Sequence, residues 1–310
     1  MITALCGGVG GSKLALGLYR TLPPDTLTIV VNTADDLEVC GLHVSPDLDT
    51  VTYTLAGLAR RDVGWGIEGD TFRALDMIGR YGGPTWFQIG DADLATHVFR
   101  TWCLREGCRL TEATQKIVQG LGARACVLPM SDDPVATRLL VDARWLAFQD
   151  YFVRRRHQDV VTAVKYEGVD RAHPTHEFIQ AIARAEIIVL VNSNPVLSIL
   201  PIISLPGVRE ALQRASASRL AVSPIVGDDA VTGPAGRLMK LIGQPASATG
   251  VARTYDGLIH GIVIDQKDAG QASEIEGMGI RVLATETVMR DQADQERLAR
   301  ETLDFARALR

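Results

Sequence analysis

Aromatic side chains are scarce in this sequence, at 5% of its 310 residues. A core built from it is mostly aliphatic, and a broad aromatic stacking platform is not expected. Net positive charge is also absent: 32 Lys and Arg against 37 Asp and Glu leave a formal charge of −5. A duplex nucleic-acid binder normally carries a basic excess, so nucleic acid is excluded as a partner. A local basic pocket for a phosphorylated small molecule is not excluded. The five cysteines (Cys6, Cys40, Cys103, Cys108 and Cys126) are odd in number and form no C-x-x-C pair. That argues against a disulfide framework or a zinc site, and reduced, mostly buried thiols in a cytoplasmic protein are the plain reading. No basic region precedes the first apolar residues, so Ile2–Cys6 reads as a strand and not as a signal peptide. Residues 187–208 carry no charge, but they hold Asn192, Asn194, Pro195, Pro201 and Pro206, a poor composition for a spanning helix. They read as a buried strand followed by a long apolar loop, and no membrane segment is expected.

What is present is alternation. Short runs rich in Ile, Val and Leu predict strands at Ile2–Cys6, Leu27–Val31, 187–191, 219–222, 262–265 and 281–284. Helical patterns fall between them at 12–20, 208–215, 235–242 and 272–279, with 292–309 closing the chain. Continuous apolar strands separated by helices imply a parallel sheet covered on both faces. The fold class is therefore α/β, a Rossmann-like doubly wound, mostly parallel sheet. The middle reads differently, with a Gly-rich turn at 81–84, helical patterns at 92–107 and 111–121, and a basic run, Arg154-Arg155-Arg156-His157. The expected partition is a nucleotide- or phosphate-binding core of 1–58 and 185–310. A smaller, mainly helical α/β insertion at 59–184 forms a substrate-binding region.

Several motifs could carry chemistry. Gly7-Gly8-Val9-Gly10-Gly11-Ser12-Lys13 lies between a predicted strand and a predicted helix, where backbone amides and the helix N-terminus favour an anion. It is not a P-loop, because Ser12 precedes the lysine. It is not a dinucleotide fingerprint either, because Lys13 stands where the last glycine belongs. A tight structural turn is the alternative. Asn32-Thr33-Ala34-Asp35-Asp36 follows the second strand, and Ser45-Pro46-Asp47-Leu48-Asp49-Thr50 follows soon after. Carboxylates at strand ends suit a hard cation such as Mg²⁺, although single acids there also cap helices. In Gly90-Asp91-Ala92-Asp93 one acid is expected to cap the helix that follows. Met130-Ser131-Asp132-Asp133 is turn chemistry by composition, and Asn192-Ser193-Asn194-Pro195 sits at the end of an apolar strand, where amides and a hydroxyl can read a nucleoside. His97 reads as a core or surface histidine, and the Arg154 run as a solvated face or a phosphate clamp. No nucleophile–base signature is present, so covalent catalysis is disfavoured.

In order and spacing these motifs resemble the 2-phospho-L-lactate transferase (CofD/FbiA) family of coenzyme F420 biosynthesis. Gly64-Trp65-Gly66-Ile67-Glu68, Phe148-Gln149-Asp150-Tyr151-Phe152, Ser204–Arg209 and Ser223–Gly227 extend the resemblance over nearly the whole chain. It implies a Mg²⁺-dependent transfer in which a GDP-activated hydroxy acid passes its phospho-acid to the terminal ribityl hydroxyl of the deazaflavin Fo. F420-0, or a dehydro or glyceryl counterpart, forms and GMP leaves. It also implies a homodimer, and a hand-over from the guanylyltransferase that makes the donor. On this resemblance Asp35, Asp36 and Asp49 surround Mg²⁺, with Asp49 and Asp36 catalytic. Gly8, Gly10, Gly11 and Lys13 cradle phosphate, together with Asn32 and Thr33. Gln88, Asp91, Met130, Ser131 and Asp132 line the deazaflavin or acid pocket, and Ser193 and Asn194 hold the guanosine. The deazaflavin is expected against backbone and aliphatic walls. Ala34, Gln88, Ala92, Asn192 and Asp228 depart from the commoner family pattern, which leaves the acid open among phospholactate, phosphoenolpyruvate and 3-phosphoglycerate derivatives.

Two rivals remain. A non-catalytic regulatory protein of the gluconeogenesis-factor type shares the glycine loop and the Asn-x-x-Asp-Asp turn, but its turn continues into a Gly/Ser-rich stretch, where Leu37-Glu38-Val39-Cys40 stands here. A nicotinamide dehydrogenase fits the fold class but fails the fingerprint.

Overall fold

The apolar runs form the centre of a seven-stranded sheet in this computed structural model, which describes residues 1–23, 25–60, 62–227, 229–230 and 235–309. The strands are β1 (Ile2–Cys6), β2 (Leu27–Val31), β3 (Cys126–Pro129), β4 (Ile187–Leu190), β5 (Ser218–Val222), β6 (Gly261–Asp265) and β7 (Arg281–Thr285). Their order is β7-β6-β5-β4-β1-β2-β3 and every pairing is parallel. This is the Rossmann order with one further strand.

Strand alternation explains why so few polar residues appear in the central strands. Ala4, Ile29 and Val189 face one apolar cluster, while Leu5, Val30 and Ile188 face the other, so each strand is buried on both sides. The first cluster is closed by α1 (Val9–Thr21), α2 (Pro46–Leu55) and the C-terminal helix Gln292–Ala308. Gly17 of α1 makes close helix packing possible, because a Cβ there would collide with the Gln295 carbonyl. The second cluster is closed by His176–Arg184, Val208–Arg214, Ala235–Leu241 and neighbouring helices.

The structure corrects several expectations. The helix predicted at 12–20 begins at Val9, so five residues of the glycine motif, Val9–Lys13, are helical. The loop expected after β4 is a π-helical turn, Pro195–Ile199, running into a short α-helix, Leu200–Ile203. Prolines are tolerated there because they occupy N-terminal positions that have no helical acceptor to lose. Among the described residues no single helix is long and apolar enough to cross a membrane.

The middle segment contains α3 (Arg73–Arg80), α4 (Asp91–Arg105) and α5 (Leu110–Gly120), but it also contributes β3 to the parent sheet. It adds a three-stranded antiparallel sheet of Arg144–Ala147, Ala136–Val141 and Val161–Glu167. The hairpin turn places Asp142 and Ala143 at φ of +47° and +60°. That is the geometry of a two-residue hairpin turn, written without the glycine that usually announces it. The cysteines also divide differently from expectation. All five are free, but only Cys6 and Cys103 are buried, while Cys40 and Cys126 are exposed.

Candidate active site

A cavity of about 700 Å³ opens at the C-terminal ends of β1, β2 and β4. Beside it, the chain leaves β1 into α1 on one face of the sheet and leaves β4 into Pro195–Ile199 on the other. Open α/β sheets bind ligands at such a switch point. Gly8, Gly10 and Lys13 line one wall. Gly8 caps α1 with no side-chain partner, so the first-turn amides are free to take an anion. Gly7 donates its amide to Ser193 Oγ at 2.9 Å, tying the two strand ends together. A Cβ on Gly8 would collide with the Asp47 carboxylate, and one on Gly11 with the Ser193 hydroxyl.

Against the start of α1 lies a carboxylate pair, whose Asp47 accepts from the Gly8 amide. Asn32 donates through Nδ2 to Asp35 Oδ1 at 3.2 Å and to Asp47 Oδ2 at 3.0 Å. Its own Oδ1 accepts from the Ala34 amide at 3.0 Å, which fixes the amide plane. Gln149 reaches Asp35 Oδ2 at 3.3 Å. Burial and then the neighbouring charges of Asp47 and Asp36 hold the Asp35 carboxyl well above its ordinary range. Burial pushes Asp47 up to about 7, against the pull of the Asn32 hydrogen bond. The buried Asp35 and the half-buried Asp47 share the Asn32 donor, with Gln149 also on Asp35 and the Gly8 amide on Asp47; all of these partners are uncharged, which leaves the pair short of positive charge. A hard divalent cation with oxygen ligands fits that deficit.

The other acids face elsewhere. Asp36 accepts from Ser45 Oγ at 2.7 Å and pairs with His43 Nε2 at 2.9 Å; burial raises it, those two partners oppose the rise, and its Oδ1 has no partner. Asp49 lines the cavity with both oxygens engaged by Arg100. Asp49, Asp93 and His97 offer ligand atoms within 4.8 Å of one another, a set able to hold a metal ion. The Arg100 guanidinium already balances one of its charges.

Residues 2–303 match the family described as 2-phospho-L-lactate transferase CofD. The chain belongs to that family. A phosphoenolpyruvate transferase from Streptomyces griseus is 38% identical over 100% of this chain and 99% of its own length. A 2-phospho-L-lactate transferase from Methanosarcina acetivorans is 41% identical over 95% of each chain. A solved Bacillus halodurans protein of the UPF0052 family shares the fold with a TM-score of 0.66, at 15% identity over 97% of this chain and 98% of that one.

Of the residues expected at a CofD-family site, Gly8, Gly10, Lys13, Asn32, Asp35, Asp49, Gln88, Ser193 and Asn194 come together on the cavity wall. Gly11, Thr33 and Asp36 do not line it, and Asp228 falls outside the described residues. Four others do not line the cavity. Asp91 accepts from the amides of Arg73 and Ala74 and so anchors α3. Asp70, rather than Asp91 or Asp93, caps α4 through the amides of Ala92 and Asp93. Met130 is fully buried, and Ser131 donates to the His173 carbonyl. Asp132 accepts from the amide and hydroxyl of Thr111 at the start of α5.

The expected aliphatic wall is aromatic. Tyr53, Trp65, Trp86, Phe87, Phe148 and Phe152 all line the cavity. Phe148 and Phe152 stack at 5.2 Å, and Phe152 stacks on His157 at 5.0 Å. Arg154 stands 6.0 Å over the ring of Trp86, which lines the cavity. The sequence places Asp47 in an acidic motif and Gln149 in a family motif without giving either a role of its own, and Arg100 lies in no motif. A signal existed for the last, since Asp93, His97 and Arg100 share the i, i+4, i+7 spacing of one helical face.

Proposed function

We propose that this chain catalyses Mg²⁺-dependent transfer of a phospho-hydroxy acid from a GDP-activated donor to the ribityl hydroxyl of Fo, in coenzyme F420 biosynthesis. The observation that carries the reading is the juxtaposition at the β1–β4 switch of a helix N-terminus without a side-chain cap, Lys13 and an Asp35–Asp47 pair that no cation of the chain neutralises among the described residues. Phosphoryl-type transfer needs positioning and charge neutralisation more than a covalent nucleophile.

Each part of the wall then has a task. The α1 amides and Lys13 bind diphosphate oxygens, and Asn192, Ser193 and Asn194 hold the nucleoside. Bound at Asp35 and Asp47, Mg²⁺ would neutralise diphosphate charge. The aromatic wall takes the deazaflavin ring, in keeping with stacking geometry. Asp49 orients the acceptor hydroxyl. As its oxygen bonds to the phosphorus that carries the acid, the phosphorus–oxygen bond to GMP breaks. GMP leaves with the electron pair, and the hydroxyl proton passes to solvent.

The two relatives differ by name in the acid they transfer, and the neutral Gln88 on the wall suits more than one donor. Incubation with Fo, Mg²⁺ and each of three activated donors (lactyl, enolpyruvyl and glyceryl) identifies the acid from the product mass. Failure with all three, without GMP release, overturns the reading.

A further inference from the structure

Arg100 belongs to α4, yet its guanidinium spans the carboxylate of Asp49 on α2, 51 residues away in sequence. Nη1 donates to Asp49 Oδ2 at 3.1 Å and Nη2 donates to Oδ1. Arg100 is 1% exposed and Asp49 5%. The same guanidinium lies 3.5 Å from the His43 carbonyl and 3.4 Å from His97 Nδ1. Asp49 lines the cavity, whereas Arg100 does not and reaches it only through Asp49. A two-pronged guanidinium–carboxylate fork fixes the carboxylate plane in a way that a single charge cannot. Away from water, neither partner can be removed without stranding the other. His97 completes the support, 3.6 Å from Asp49 and 3.2 Å from Asp93.

We infer that Arg100 is a positioning residue for the transfer. It holds the Asp49 carboxylate in one orientation at the cavity wall and cancels its charge there. Asp49 can then meet the acceptor hydroxyl without repelling the donor diphosphate. The inference rests on the transferase reading above, and it assigns to α4 a role exerted wholly through Asp49.

The test is a double-mutant cycle on the full chain, using Arg100→Gln, Arg100→Lys, Asp49→Asn and the Arg100→Gln/Asp49→Asn pair. Arg100→Gln is expected to lower kcat on the order of 100-fold, with the donor KM within about twofold of wild type. Arg100→Lys, which keeps the charge but loses the fork, falls between. In the Asp49→Asn background, Arg100→Gln is expected to lower kcat by less than about threefold. GDP affinity, measured by calorimetry, is unchanged throughout. The double variant leaves no unpaired buried charge, so it folds even if Arg100→Gln alone does not; the Arg100→Lys and Asp49→Asn rates then decide. Additive losses, an Arg100→Gln kcat close to wild type, full activity in Asp49→Asn, or a parallel loss of GDP binding each overturn the inference. A wild-type chain that forms no product overturns the transferase reading with it, whereas normal wild-type turnover confines any failure to Arg100.

Discussion

Asp35 and Asp47 approach each other across a single amide, Asn32, which donates to both at 3.2 and 3.0 Å. They come from different elements, the turn after β2 and the first turn of α2. The Asp47 charge pushes Asp35 toward its neutral form, and the Asp36 charge does the same to Asp47, each in addition to the effect of burial. Such a pair is unfavourable to the fold by itself and favourable to a cation.

If the pair is the proposed cation site, Mg²⁺ titrated into the metal-free chain should raise its unfolding midpoint, because only the folded chain then offers the ion that site. Asp47→Asn should shift that response to at least roughly tenfold higher Mg²⁺. Without divalent cations the same variant should be more stable than wild type by about 1 kcal/mol. Thermal unfolding with and without chelator measures both effects. An unchanged Mg²⁺ response in Asp47→Asn would remove Asp47 from the cation site.

Gly11 admits no side chain. An alanine Cβ would strike the Ser193 hydroxyl and approach Val191 Cγ2 at 2.8 Å and Cys6 Sγ at 2.9 Å, all held by central strands or the turn after β4. Gly11→Ala should cost about 1–3 kcal/mol in chemical denaturation. A neutral result would mean that the strand ends are looser than their hydrogen bonds imply.

The stacked Phe148, Phe152 and His157 rings form a continuous ladder ending at the cavity. Phe152→Ala should raise the KM for Fo by up to about tenfold, the equivalent of one lost ring pair. The donor KM should change less than about twofold. An equal rise in both would place the donor, not the deazaflavin, on this wall.

His260 gives a pH dependence remote from the site. The Arg219 amide donates to its Nδ1 at 3.3 Å, and the Arg219 guanidinium lies 2.7 Å from its Nε2. Burial and then the Arg219 charge lower its pKa below the ordinary 6.5. Below that value the unfolded chain accepts a proton that the folded chain resists, so this contribution falls as pH drops; well above it the contribution vanishes. The fall in unfolding midpoint between about pH 7.5 and about pH 5.5 should be smaller in His260→Gln than in wild type. Identical slopes would show that His260 is protonated freely in the fold.

Much of this was legible where neighbours in sequence are neighbours in space. β1, the glycine turn, α1, β2 and Asn32–Asp36 form one βαβ unit, and its apolar strands and strand-end acids announce it. Legibility failed where partners come from distant segments. Arg100 is tied to Asp49 only through tertiary packing, and the six cavity aromatics arrive one or two at a time from separate segments. A low total of aromatics therefore said nothing about their concentration. Asp47 and Asp49 looked equivalent in sequence, but two positions on a helix point their side chains widely apart, one toward Asn32 and the other toward Arg100. The antiparallel sheet was missed because Ala143 occupies a left-handed position usually given to glycine or asparagine.

The central claim is that donor diphosphate and acceptor hydroxyl meet over the Asp35–Asp47 pair at the β1–β4 switch. Its most direct measurement is the stoichiometry of transfer, with GMP and the new Fo phosphodiester quantified together in wild type and Asp35→Asn. The account predicts one GMP per phosphodiester in wild type, and a rate lower on the order of 100-fold in Asp35→Asn. Undiminished transfer by Asp35→Asn, or GMP released by wild type without phosphodiester, would contradict it.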